Sequence, residues 1–479
     1  MKRRPQSWRW LIAAAVIGPA LLATPAIVTA HSLTSTYQSR LPLIVYLAGA
    51  AMAVGLSFAV LLIADVRADP PITTAGRPLP APLRIALRSI GLIGWAWIVA
   101  QGLVGGSGTG DVSTLFLWVY GWVGLAFVSA FVGPIWHWLD PFATLHDLGA
   151  GLGRRLGVRG WVSAEYPARL GRWPAVVGLL LVVWLELVGN GAGPRSLFVA
   201  FVGYSAFTLA MMAQFGRDPW RADGETFSVW FGLLGRLAPS GIVGEPAAGR
   251  VGRRRFATGL LLGGWRTEDL IMIGIGVASI LFDGLSQTQP WFGVFGAPDA
   301  VVKTIQLAGF VGLLVGAVVL VSRLVGVPAT AAGLLPIAAG YLVAHYFTYL
   351  LIDGQRIVVA LADPFQQGWD IGDRGLAFYE PSSGFLPPGL VWTVQLLVVV
   401  GGHMLGAWAG HVVAARETGT ARGTGAHRRP EIPLAVIMVA LTTLTLWSLG
   451  QALVVAPPVA ASAAAAPGET TAIGAAPSG

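Results

Sequence analysis

Apolar positions run along this chain in unbroken stretches of about twenty residues, the length an α-helix needs to cross a hydrocarbon layer roughly 30 Å thick. Eleven such stretches begin near residues 9, 42, 84, 113, 173, 195, 267, 303, 329, 388 and 431. The pattern predicts an all-α, polytopic transmembrane bundle, in which each helix satisfies its own backbone polar groups. The first stretch is of a different kind. It opens with Met1-Lys2-Arg3-Arg4, continues from Trp10 to Leu22, and passes Pro25 to end in Val28-Thr29-Ala30, the anatomy of a secretory signal peptide. Cleavage after Ala30 makes His31 the new N-terminus; an uncleaved signal anchor is the other reading. The expected organisation is residues 1–30 as signal peptide or anchor, 31–455 as a domain of about ten transmembrane helices, and 456–479 as a disordered outer tail with almost nothing to pack.

Alternating the stretches from a cytoplasmic start places 65–83, 135–172, 214–266, 323–328 and 415–430 inside. Of the 31 Lys and Arg, only Arg40, Arg195, Lys303, Arg356 and Arg374 then fall outside, as the positive-inside rule requires. A multi-pass membrane protein follows, with its mature N-terminus and its C-terminus on the outer side. Composition agrees, with 55% hydrophobic and 11% charged residues. It also removes nucleic acid as a partner. The net charge of +8 gathers where Arg250, Arg253, Arg254 and Arg255 meet anionic headgroups. The absence of cysteine excludes disulfides, thiolate metal sites and cysteine nucleophiles. Asp140-Pro141-Phe142 and Asp218-Pro219-Trp220 read as capped starts of short surface helices. His137 and His146, beside Trp136 and Trp138, read as interfacial anchors.

Against this background the few ionisable residues inside apolar stretches stand out. Glu186, Asp283, His345 and His403 fall in four different helices, and such residues cost several kcal/mol unless paired, ligated or solvated. Counting about 1.5 Å per residue, Glu186, Asp283 and His345 belong to the outer half of the bilayer, His403 lies near the midplane, and His411 approaches the cytoplasmic boundary. Ser279, Asp283, Ser286 and Gln287 share one helical face, as do Tyr341, His345, Thr348 and Tyr349. Asn190 stands one turn above Glu186. Gln395, His403 and His411 are spaced by eight, which turns each about 80° from the last, so that helix presents no single stripe.

Two imidazoles and two carboxylates make a ligand set suited to a divalent transition metal (Zn, Mn, Fe or Cu), which can turn bound water into a nucleophile. The same residues can instead hold a bundle together by hydrogen bonds between helices. The outer loop from Asp353 to Pro387, with Asp353, Asp363, Asp370, Asp373 and Glu380, reads either as a lid over the cavity or as a solvated acidic loop.

The stretches Leu170-Gly171-Arg172-Trp173-Pro174, Trp184-Leu185-Glu186-Leu187, Phe282-Asp283-Gly284, Ala344-His345-Tyr346-Phe347, Asp363-Pro364 and Gly402-His403 resemble bacterial, largely actinobacterial, membrane proteins known as fenitrothion hydrolases. The resemblance runs from about residue 30 to 455. It implies hydrolysis of an organophosphorus triester, a small-molecule substrate. On residue chemistry, His345, His403, Asp283 and Glu186 would then be the candidate ligands, with Tyr349 or Tyr341 stabilising the developing oxyanion.

Two other classes fit the same residues. A proton- or cation-coupled transporter or channel also places Asp, Glu and His in an intramembrane cavity, lined here by Gln395, Gln287, Ser279 and Asn190. Copper or haem redox chemistry would use His345 and His403 as axial ligands, or a free N-terminal His31 for copper. A depth offset of roughly 10 Å between His345 and His403 opposes a shared haem. The sequence leaves the oligomeric state open.

Overall fold

The computed structural model describes residues 42–63, 76–106, 111–157, 164–189, 193–244, 249–417 and 431–451. The expected segment 1–30, His31, Asn190 and the tail 456–479 lie outside the described residues.

In chain order the main elements are α1 (Leu43–Ile63), β1 (Arg77–Pro78), α2 (Ala81–Val104), α3 (Val112–Phe131), α4 (Pro141–Arg155), α5 (Trp173–Leu187), α6 (Pro194–Phe215), α7 (Thr226–Leu234), β2 (Ser240–Ile242) and β3 (Arg250–Arg253). They continue with α8 (Thr267–Ser286), α9 (Gln289–Phe295), α10 (Ala300–Val325), α11 (Val327–Asp353), α12 (Pro388–Glu417) and α13 (Glu431–Leu449). Among the described residues eight helices are long and apolar enough to cross a membrane, and shorter apolar helices lie in α1 and α13. The protein is thus a helical bundle of multi-pass membrane character, and its helices begin within a few residues of the predicted stretches.

A helix that is apolar all round must be buried among other helices or face lipid. Both solutions occur. α8 and α11 are buried along most of their length, whereas α2, α10 and α12 leave much of theirs exposed. The two most buried helices are the ones that carry Asp283 and His345, so the polar residues sit at the centre of the bundle.

α11 packs most extensively on α12, and glycines set the distance. A Cβ at Gly340 would lie 2.6 Å from the Val398 carbonyl oxygen, and one at Gly402 2.7 Å from that of Pro336. A Cβ at Gly406 would collide with the Gly333 carbonyl oxygen. Gly402 and Gly406 form a G-x-x-x-G step, which lets two backbones approach where side chains would hold them apart.

One element departs from the all-helical expectation. β3 lies between β1 and β2, antiparallel to both, with Arg77 opposite Val251 and Gly241 opposite Gly252. Strands of two to four residues are too short to show alternation in sequence. The sheet joins segments 77–78 and 240–253, which the charge pattern had assigned to the same end of the bundle.

That basic end is held by buried ion pairs and caps. Asp140 accepts from the backbone N–H groups of Phe142 and Ala143, capping α4 as its Asp-Pro sequence predicts, and Arg221 Nε lies 2.8 Å from its second oxygen. Asp218 behaves differently: it pairs with Arg217, and Glu225, fully buried, caps the next helix, α7, in its place. Arg172 pairs with Asp269 and Asp223 and ties the start of α5 to that of α8. This gives the Leu170–Pro174 motif a structural role.

Burial pushes the Asp140 carboxyl up against the pull of Arg221. Burial, reinforced by Arg221 and Arg217, pushes the His137 imidazole down to about 4. Stability carried by neutral His137 is therefore lost as pH falls from the ordinary histidine range through that value.

Glu225 accepts four hydrogen bonds, from Tyr204 Oη, Trp136 Nε1 and the backbone N–H groups of Phe227 and Ser228. Glu225→Gln turns an amide N–H toward these donors. It is expected to lower stability by about 2–3 kcal/mol, measured as a reduced unfolding midpoint in detergent; an unchanged midpoint would show that the cluster is not structural.

Candidate functional site

Two of the four singled-out ionisable residues meet, and a third lies nearby. Asp283, near the end of α8, receives a hydrogen bond at 2.7 Å from His345 Nε2 on α11, and Gln287 Nε2 donates to its other oxygen, also at 2.7 Å. Gln287 is four residues on, so the helix itself places it on the same face. Glu186, on α5, accepts at 2.8 Å from Tyr346 Oη and lies within electrostatic range of Asp283. The His345 and Tyr346 rings meet edge to face with centroids 4.6 Å apart. Two carboxylates on separate helices are thus each joined to consecutive residues of α11, one to an imidazole and one to a phenol.

His403 does not join them. It is fully buried, its Nδ1 donates to the Val399 carbonyl oxygen one turn back at 2.8 Å, and Tyr341 Oη stands 3.3 Å from its Nε2. The Nδ1 contact fixes the proton there and leaves Nε2 to accept from the tyrosine. Among the described residues no group of three or more His, Asp and Glu is placed to hold a metal ion. The donors therefore do not fit the four-ligand set expected from the sequence, and Tyr341 serves His403 away from the Asp283 pair.

The remaining expected residues divide. Ser279 donates to the Gly276 carbonyl of its own helix at 3.0 Å, and Ser286 to that of Asp283 at 3.2 Å, so both hydroxyls face backbone. Gln395 donates to the Ala344 carbonyl at 3.0 Å and bonds α12 to α11 beside His345. Tyr349 packs near Tyr346, with ring centroids 6.4 Å apart.

Tyr346 is the residue that the helical-face argument missed. It adjoins His345 in sequence and so points about 100° away from the His345 stripe; its aromatic ring inside an apolar helix was the available signal. Lys303, near the start of α10, also lies within electrostatic reach of Asp283.

The loop from Asp353 to Pro387 is fastened at two places. Trp97 and Gln101 of α2 donate to the Pro364 carbonyl at 2.9 and 3.2 Å, and Gln367 donates back to Val104. Gln355, just past α11, accepts from Tyr379 and donates to the Ser382 carbonyl. Asp363 folds the turn by accepting from the N–H groups of Gln367 and Gly368, which accounts for Asp363-Pro364 as local structure.

No protein-family model, curated protein or solved structure matches the chain.

Proposed function

We propose that the chain is a proton-coupled membrane transporter in which Asp283 and His345 bind the driving proton and Glu186 and Tyr346 form the adjoining station. The carrying observation is the 2.7 Å bond between Asp283 and His345 at the centre of the bundle. An ionised carboxylate beside a neutral imidazole has a net charge of −1; one added proton makes the pair neutral overall. In a low-dielectric interior that change is large enough to bias a conformational equilibrium. Such residues in a membrane interior mark proton relays and ion pathways. In this reading the basic end faces the cytoplasm of a bacterial plasma membrane, residues 1–30 direct insertion, and the mature chain has ten spanning helices.

The test is infrared spectroscopy of the protein reconstituted in lipid while pH is stepped from about 8 to 5, a range that spans the neutral titration window of imidazole. A titrating side-chain signal that is lost in Asp283→Asn supports the site. A spectrum without side-chain titration, or one unchanged in that variant, sinks it.

The same pair supports a second reading. An imidazole oriented by a carboxylate is the general-base half of a hydrolytic site, and the resemblance to fenitrothion hydrolases points to phosphotriesters. Here His345 would take the proton of an attacking water with Asp283 holding the ring, and no metal step is required of this chain's residues. Hydrolysis of a chromogenic phosphotriester, lost in His345→Gln, would favour it over transport.

A further inference from the structure

Ten consecutive residues, Leu115–Gly124 in the middle of α3, form a π-helix, with α-helical turns before and after. Such i→i+5 turns are rare and commonly lie at functional sites. The local reason is Gly121: a Cβ there would sit 2.5 Å from the Phe116 carbonyl oxygen, five residues back. The run touches the region around the proton site at several points. Tyr120 Oη donates at 2.6 Å to the Gly354 carbonyl at the end of α11. Trp122 stacks on Trp230, with centroids 6.2 Å apart, and shares the buried core with Tyr346. The start of α3 is tied to the outer loop through Gln101, which accepts from Val112 N at 2.7 Å and donates to Pro364 O at 3.2 Å.

We propose that this run is a register switch that controls access to the Asp283–His345 site. In the π register Tyr120 is clamped against the end of α11 and Trp122 against Trp230 of α7, and the site is closed. Conversion of one i→i+5 turn to i→i+4 rotates the residues beyond it by about 100°. That rotation carries Tyr120 off Gly354 and Trp122 off Trp230, and opens the flank of the core beside Tyr346. Displacement of the outer loop at Pro364 reaches the run through Gln101. The switch serves proton coupling on the function proposed above, while its existence rests on the geometry of α3.

The chain has no cysteine, so a single Ser279→Cys variant, one turn below Asp283, reports access without background. Its labelling by a membrane-impermeant maleimide is compared in proteoliposomes with and without Gly121→Ala, which disfavours the π register, and Tyr120→Phe, which removes the clamp. Each is expected to speed labelling by about fivefold or more, Gly121→Ala because its Cβ would crowd the Phe116 carbonyl oxygen in the π register. Unchanged rates in both overturn the switch, and Tyr120→Phe alone decides if Gly121→Ala does not fold. Proton uptake by the same samples separates the two claims. Faster labelling without any proton uptake keeps the switch and sinks the coupling; proton uptake with unchanged labelling does the reverse.

Discussion

Gly406→Val is expected to destabilise the folded protein by about 3 kcal/mol or more. The added Cβ would fall on the Gly333 carbonyl oxygen, and Ile337 Cγ1 lies 3.3 Å from the same position. An atom of backbone in mid-helix cannot swing aside as a side chain can, so α11 and α12 must separate along their whole contact. Overpacking commonly costs about 1–3 kcal/mol where side chains can yield; here the cost lies at or beyond the upper end. Gly402→Val, against the Pro336 carbonyl, should behave alike. Gly389→Ala, on the same helix with open space around its Cβ position, should be tolerated. Unfolding in increasing denaturing detergent measures all three. Equal midpoints for Gly406→Val and Gly389→Ala would mean that the close approach contributes nothing.

Asp283→Asn is expected to abolish reversible proton uptake by the central pair. The amide retains the shape and the contact with Gln287, but it carries no negative charge, so the pair loses the charge that the added proton neutralises. Glu186→Gln should have a smaller effect, because Tyr346 can still hydrogen-bond the amide oxygen. Its hydrogen bond runs to Tyr346, whereas Asp283 bonds His345 directly, so the variant is expected to shift the midpoint of uptake and leave the number of protons unchanged. The measurement is the number of protons taken up per chain after an acid pulse, followed with a pH-indicator dye. Full uptake in Asp283→Asn would move the proton to another group and remove the basis of the transport reading.

The bundle was legible because membrane-length apolar stretches need no long-range information. The Asp283–His345 pair was legible for a related reason: depth along each helix follows from residue count, and both residues reach the same depth. Rotation about the helix axis was not. Whether His403 faces Asp283 or Tyr341 depends on how α12 turns against α11, which is set by the contacts of Gly340, Gly402 and Gly406 with opposing carbonyls. The eight-residue spacing of Gln395, His403 and His411 did show that no single stripe exists on that helix. Leu115–Gly124 looked like any other apolar helix, since composition does not distinguish i→i+4 from i→i+5 bonding. The sheet escaped because its pairing joins residue 77 to residue 251, far apart in the chain.

The enclosure of α8 by later helices also has a temporal meaning. Asp283 emerges from the ribosome some sixty residues before His345. Until α11 is made, that carboxyl has Gln287 of its own helix but no imidazole to meet it, and an acid left short of its partner inside a bundle costs several kcal/mol. A chain that stops between these two residues keeps one acid without its imidazole, and the arrival of α11 supplies it.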